Sequence, residues 1–405
     1  MTKEVCVAEG AIMVNAAVVV GALRSPIGKG KPTGALVGIH PIDLLSQVLA
    51  ALVEQTGVDP AEVEDVVTGC VSQVAEQSAT PGRWAWLAAG LPEHVPSVTI
   101  DRRCGSSLQS LQFAYQAIAG GSQDVVVAAG VESMSRVPMG SNRQGADAFG
   151  GAARRYPPGL VSQGIAAELV AARWGLGREL LDEYSVTSHR RAAQARAAGA
   201  FDAEIVPIRS ASGAVVLDQD ETIREGSTVE ALSGLRPAFE NEVDKQRFPE
   251  IGWSITAGNS SPLADGASAL LVVSERYAEK NGLTPMARIV GGVVTAEDPI
   301  QMLTAPIPAT TKLLDRLGRE LDDIDHVEVN EAFAPVPLAW AGSLDADPDR
   351  LNPRGGAIAL GHPTGASGAR LATTAVHAIG GSTKSALVTM CEAGGMANAL
   401  LLEAL

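Results

Sequence analysis

The sequence predicts an α/β protein built from two copies of one unit, with a long insertion between them. Three observations predict it. Short apolar runs rich in β-formers alternate with Ala- and Leu-rich amphipathic runs, as when helices pack on a mixed or parallel sheet. The succession of small-residue turn, helix, Gly-Gly stop and strand occurs twice at long spacing, which points to two packed copies. Between the copies the composition shifts toward Arg, Asp, Glu, Gly and Pro. A chain of 405 residues is also too long for one ordinary core.

Taken in order, residues 1–14 read as an N-terminal extension, acidic at its start and without the layout of a signal peptide. The run AIMVNAAVVVGAL is too short to span a bilayer and contains Asn15, so it reads as a buried strand. PIDLLSQVLAALVEQTG follows as a helix, then DVVTGCV and PSVTID as strands. In DRRCGSSLQSLQFAYQAIAGG, Cys104 precedes the small residues Gly105, Ser106 and Ser107, which open a helix, and DVVVAAG follows as a strand. The insertion, 133–261, carries two helical patterns, GIAAELVAARWGL and RELLDEYSVTSHRRAAQARAAGA, and is expected to cover a crevice. DGASALLVVSE (265–275) then rejoins the first unit's sheet.

The second copy begins near 284. IDHVEVNEAF (324–333) repeats VEDVVTGCV (63–71), HPTGASGARLATTAVHAIGG repeats the Cys104 helix, and SALVTMCEAGG repeats DVVVAAG. Cys104 and His362 therefore occupy equivalent places, and a pseudo-two-fold would bring both helix N-termini to one crevice. The expected divisions are 15–132 with 262–283, the insertion at 133–261, and 284–405.

With 31 Lys and Arg against 46 Asp and Glu, the net charge of −15 argues against a nucleic-acid partner, and no segment has the length to cross a membrane as a helix. An anionic ligand would need a local basic patch, for which the Arg-rich, Lys-free region 131–200 is the candidate. The four cysteines form no CxxC pair, which argues against zinc and against a disulfide framework. Reduced thiols in the cytoplasm are the simpler reading.

Four residues could carry chemistry. A free cysteine is most often inert core. Cys104, however, lies at the mouth of a helix, where the N-terminal partial charge is expected to lower its pKa and backbone N–H groups can hold an oxyanion. His362 is bracketed by Gly361, Pro363 and Gly365, which allow close backbone approach; a neutral imidazole there could take the thiol proton. Cys391, at a strand end, could give and take protons. Asn330 is either a turn former or an amide that orients a water or polarises a carbonyl.

As an ordered set, these segments resemble the thiolase family over nearly the whole chain. AAGVESMS (128–135), LRPAF (235–239), ITAGNSSPLADGASA (255–269), NEAF, GHP and the second-cysteine segment stand in thiolase order and spacing. The resemblance implies a thiolase fold: two pseudo-symmetric βαβ-type halves in a layered α/β arrangement with an inserted loop domain, assembled as a homodimer or homotetramer. It implies that Cys104 attacks the keto carbon of a 3-oxoacyl-CoA and that Cys391 protonates the departing acetyl-CoA enolate. His362 with a water held by Asn330 would serve the enolate, and the backbone N–H groups of Cys104 and Ala393 the tetrahedral intermediate. Ser261 and Arg224 would contact CoA, and Phe333 and Gln163 would line the acyl pocket. CoA and acyl-CoA enter as substrates, with no metal and no permanently bound cofactor.

The sequence departs from the family pattern at three places. Ala393 replaces the first of three glycines, Ser162-Gln163-Gly164 replaces His-Met-Gly, and Met302-Leu303-Thr304-Ala305-Pro306 replaces the MGxGP segment. The second change favours degradation of medium, long, branched or steroid-like acyl chains. Two alternatives are a biosynthetic acetoacetyl-CoA synthase and a non-catalytic acyl-CoA-binding subunit. Cys6, Cys70, His94, His189 and His326 match no catalytic position and read as structural or surface residues.

Overall fold

The computed structural model describes residues 15–381 and 383–405, so the extension at 1–14, with Cys6, lies outside the described residues. The first unit contributes β1 (Ala17–Arg24), α1 (Pro41–Thr56), β2 (Asp65–Gly69), β3 (Ser97–Ile100), α2 (Ser106–Ala119) and β4 (Val125–Ser133). The insertion carries α3 (Gln163–Trp174) and α4 (Arg178–Ala197), and the chain returns through β5 (Ala264–Ser274). The second unit comprises β6 (Ala287–Ala296), α5 (Pro306–Leu317), β7 (His326–Val329), α6 (Pro335–Leu344), α7 (Ser367–Ala378), β8 (Ser385–Glu392) and β9 (Met396–Ala404).

The sheet order is β7-β8-β9-β6-β1-β5-β4-β2-β3. Reading outward from the β6–β1 junction, each half repeats one plan. β2 runs parallel to β4 as β7 does to β8, while β4–β5 and β5–β1 are antiparallel, as are β8–β9 and β9–β6. The halves join through the antiparallel pairs Val18↔Arg288 and Val19↔Ala287. The duplication read in the sequence is therefore present in the topology, with β5 between β1 and β4.

Alternation along the strands sorts side chains into layers. Val126 and Ala128 of β4 join Val388 and Met390 of β8 and the apolar faces of α2 and α7 in one central core. Val125, Val127 and Ala129 face the opposite way, onto α1. On the second half, Leu387 and Leu401 face α5 and α6. The stack is helix, first half of the sheet, helix pair, second half of the sheet, helix. In the middle layer a Cβ at Gly368 of α7 would collide with the Leu108 backbone of α2, and Ala369 N–H donates to Ser107 Oγ at 2.9 Å. Only glycine lets the two helices cross this closely, and the crossing sets the starts of α2 and α7 side by side.

The insertion is spliced into the first unit, yet its helices pack on the second. Ala166, Ala167 and Val170 of α3 and Leu181 of α4 share a core with Phe333, Ile358 and Cys391. A buried ion cluster ties it to the sheet: Arg24 of β1 donates to Glu204 at 2.6 Å and to Asp220 at 2.7 and 2.9 Å. The Arg-rich stretch forms no single basic patch. Arg136 pairs with Glu76, Arg178 with Asp182, and Arg143, Arg155 and Arg173 stack on neighbouring aromatic rings.

Candidate active site

Cys104 lies on the tight turn joining β3 to α2. Asp101 accepts from Arg103 N–H at 2.7 Å, and Ser106 Oγ accepts from Arg102 N–H at 2.9 Å while donating to Arg103 O at 2.6 Å. Arg103 is forced to φ +51°, a left-handed conformation that non-glycine residues seldom take. The strain turns Cys104 into the crevice. There its own N–H and that of Ala393 lie where they favour negative charge on its sulphur. Ala393 follows Cys391 by two residues across the end of β8, so the two thiols meet at one place.

Ala393 occupies the position that tolerates a side chain. It is absent from the residues with positive φ, whereas Gly394 and Gly395 have φ +93° and +81°. A Cβ at Gly395 would also lie 2.7 Å from Glu297 O. The N–H that a glycine would present in a three-glycine turn is thus kept.

His362 begins the turn before α7, the place equivalent to that of Cys104 before α2. Its Nδ1 lies 2.6 Å from Ser367 Oγ, which donates its single proton to Pro363 O at 2.8 Å. Ser367 Oγ must then accept from Nδ1–H, which leaves Nε2 as the bare, basic nitrogen. Nε2 faces Asn330 Nδ2 at 3.5 Å. Asn330 is fully buried at the end of β7, and its Oδ1 has no protein partner. A buried amide oxygen without a donor is suited to holding a water or a substrate group.

Two buried carboxylates fix these turns, and neither was singled out in the sequence. Glu132, at the end of β4, accepts from Val71 and Ser72 N–H and from Gly365 N–H beside His362. Glu331 accepts from Tyr184, Ser188 and Asn352 side chains and from Ile358 N–H, holding the Asn330 turn. Their partners come from distant segments, so only tertiary structure shows them. The neighbour of Cys391 is a third such group: Glu392 closes a buried strand with a carboxyl.

The electrostatics correct one expectation. Burial pushes the Cys104 thiol up to about 12, aided by the nearby Glu392 carboxyl, and the two backbone N–H donors offset only part of it. The helix N-terminus does not win. Cys391 is also raised, by burial and then by the proximity of Cys104. His362 is lowered to about 3 by burial and by Arg370. All three shifts favour a resting site of two thiols and a neutral imidazole.

The remaining predicted residues have the following surroundings. Phe333 is buried edge-on to Phe239 at 6.0 Å, and a Cβ at Gly164 would collide with that Phe239 ring. Gln163 opens α3, half-buried, and Met302 and Leu303 join the core that holds Phe333 and Cys391. Ser261 is half-buried and donates its hydroxyl to Ala332 O at 3.0 Å; Arg224 is exposed. The residues read as structural or surface have other partners, and Cys70 packs behind the His362 turn, where a Cβ at Gly365 would lie 2.8 Å from its Cα. His326 lies 2.8 Å from Glu328, His189 accepts from Arg224 N–H, His94 contacts Ala61 O at the surface, and Cys70 is buried beside Gln77.

Profiles described as "Thiolase, N-terminal domain" and "Thiolase, C-terminal domain" match residues 17–276 and 283–404. The chain is 45% identical over 408 residues to the steroid 3-ketoacyl-CoA thiolase FadA6 of Mycobacterium tuberculosis, covering 98% of this chain and 96% of that protein. It is 39% identical to a 3-ketoacyl-CoA thiolase of Photobacterium profundum, over 96% of this chain and all of the relative. Among solved structures, a Bacillus anthracis acetyl-CoA acetyltransferase superposes with TM-score 0.86 at 36% identity, covering 98% of this chain and 100% of the other. Human mitochondrial 3-ketoacyl-CoA thiolase in complex with CoA gives 0.84 at 34%, over 97% and 99%.

Proposed function

Because the chain belongs to the thiolase family, we propose that it catalyses CoA-dependent thiolytic cleavage of a medium, long or bulky 3-oxoacyl-CoA, giving acetyl-CoA and a shortened acyl-CoA. The observation that carries this reading is the meeting of two buried thiols, Cys104 and Cys391, at one place beside the backbone of Ala393. That is the equipment for an acyl-thioester intermediate and for a proton-transfer partner.

The neutral resting site dictates the order of events. Cys104 gives up its proton to His362 Nε2 as its sulphur bonds the keto carbon, so no free thiolate accumulates beforehand. The oxyanion so formed is held by the N–H groups of Cys104 and Ala393, each worth about 3–4 kcal/mol in comparable sites. The bond between the keto carbon and the acetyl unit then breaks. The acetyl-CoA enolate, held by His362 and a water on Asn330, takes the proton of Cys391. The sulphur of incoming CoA attacks the Cys104 thioester and its proton restores Cys391; the proton on His362 returns to Cys104.

The bulky substrate is supported by Ser162 and Gln163 in place of His and Met and by the 45% identical relative named for steroid substrates. Phe333 and Gln163 line the acyl channel. Ser261, whose oxygen keeps a lone pair free, meets the pantetheine arm, and exposed Arg224 lies against the adenine. CoA and acyl-CoA are substrates, with no permanently bound cofactor. A homodimer or homotetramer fits the open edge of β3, where Val98 is 44% exposed beside Trp84 at 52%. Three buried free cysteines fit the reducing cytoplasm. Among the described residues no helix is long and apolar enough to cross a membrane.

Steady-state thiolysis of acetoacetyl-CoA against a steroid side-chain or eight-carbon 3-oxoacyl-CoA tests the reading. We expect kcat/KM at least roughly tenfold higher on the larger substrate, the discrimination a hydrophobic pocket can supply. Preference for acetoacetyl-CoA would overturn it in favour of biosynthetic condensation.

A further inference from the structure

Beneath the turn that carries Cys104 sits a group the mechanism above does not use. Glu392, the last residue of β8, points away from the face bearing Cys391 and is fully buried. A Cβ at Gly105 would overlap its Oε1 and would lie 2.9 Å from Asn398 Oδ1, so both oxygens border one small space under the nucleophile's turn. Neither Glu392 oxygen has a hydrogen-bond partner, and Asn398 Oδ1 has none either. The Asn398 amide is not free to turn, because its Nδ2 donates to Gln109 Oε1 at 3.0 Å and to Gln112 Oε1 at 2.9 Å on α2. Gln112 is anchored in turn through Nε2 to Val293 O and Ala399 O. Two buried acceptors border that space, and neither has a hydrogen-bond partner in the protein. A single proton resolves the conflict.

We propose that Glu392 is held as a neutral carboxylic acid whose O–H donates to Asn398 Oδ1, and that its neutrality is what permits negative charge to develop on Cys104. Ionised, the same carboxylate would oppose the developing thiolate and slow acylation. Glu392 is thus a positioning residue with a charge switch, acting through Cys104.

The surroundings agree. Burial raises Glu392 to about 8, with the Arg102 guanidinium and the Asn398 backbone amide offsetting only part of the cost. The charged or titratable groups facing it are Arg102 on the preceding loop, Cys104 on the turn, and Cys391 on its own strand; Glu132 of β4 faces Cys104 from the other side. His362 is neutral throughout the neutral range and both thiols stay protonated there, so among these four groups Glu392 is the one that changes charge in that window. The sign follows. Below about pH 8 the carboxyl is neutral and acylation proceeds; above it the carboxylate forms and acylation falls behind the rise expected for a lone thiol.

The test rests on Cys104 being the nucleophile and is built to separate the two claims. Single-turnover acylation of Cys104 by a 3-oxoacyl-CoA, without free CoA, is followed from about pH 6.5 to pH 9 in the wild type and in Glu392→Gln, whose amide N–H can still donate to Asn398. The two should match at the acid end, and the variant should be about tenfold faster at the alkaline end, the effect of a one-unit shift in a neighbouring thiol. Superimposable profiles, or a folded variant slower at every pH, would overturn the proposal. Failure of Cys104 to acylate in the wild type would instead remove the thiolase reading. Should the variant not fold, infrared spectroscopy of the wild type decides. A protonated-carboxyl band present at neutral pH and lost in alkali supports the switch, and its absence overturns it.

Discussion

At Cys104 two opposing effects meet. The start of α2 offers a helix terminus and two N–H donors, which together are worth about 2 kcal/mol in favourable geometry. Burial in a site also holding Glu392 works against them and is larger, since desolvation alone can move a buried group by about 3–5 pKa units. The thiol is therefore raised, not lowered. In the empty enzyme, alkylation of Cys104 by iodoacetamide should be slow at neutral pH and rise about tenfold per unit from pH 6 to pH 7.5, the slope of a thiol far below its pKa. A plateau in that range would mean a pre-formed thiolate. At His362 the Ser367 hydroxyl sets the tautomer, so Ser367→Ala should lower kcat/KM by roughly tenfold, about 1.4 kcal/mol, with little change in melting temperature. Cys391→Ala should suppress exchange of the acetyl-CoA methyl protons with solvent deuterium by about 10²–10⁴-fold, the usual contribution of a positioned acid–base group. The residue types were legible in the sequence. Their protonation was not, because it depends on how deeply neighbours from distant segments bury them.

The β8–β9 turn shows the same divide at the level of an element. Cys391-Glu392-Ala393-Gly394-Gly395 reads as a turn in which Ala393 replaces the first of three glycines, a replacement free of strain only at negative φ. The structure gives it ordinary backbone and reserves the left-handed conformations for the two glycines. Ala393→Gly should therefore leave kcat/KM within about threefold, since no donor is lost and only backbone freedom is gained. Gly395→Ala should destabilise the protein by about 1–3 kcal/mol in denaturant titration, from a positive φ and a Cβ set 2.7 Å from Glu297 O. Similar elements elsewhere were read correctly because their patterns are local. β5 is a continuously buried strand whose second half, ALLVVS, is almost wholly apolar, and α2 and α7 each end near paired glycines. Glu132 and Glu331 carried no such pattern, and each braces a catalytic turn through partners far away in sequence.

Across the whole molecule, the duplication was visible because both copies keep the same succession of strand, turn and helix, and the sheet order repeats it outward from β1 and β6. The seat of the insertion was not visible. Its helices leave the first unit and pack on the second, as the shared core of Ala167, Val170 and Phe333 shows, which no linear pattern encodes. The exposed edge of β3 leaves backbone groups and Val98 open to a second copy. Val98→Lys should shift sedimentation toward the monomer, whereas an unchanged assembly would place the contact elsewhere. The central claim is that Cys104 carries the acyl group, and intact-mass analysis tests it most directly. The protein is mixed with a panel of 3-oxoacyl-CoAs in the absence of free CoA, and any adduct is mapped by peptide sequencing. The account predicts a shortened acyl group on Cys104, formed with larger or branched substrates and lost in Cys104→Ala. An adduct on another residue, or none from any substrate on folded and reduced protein, would contradict it.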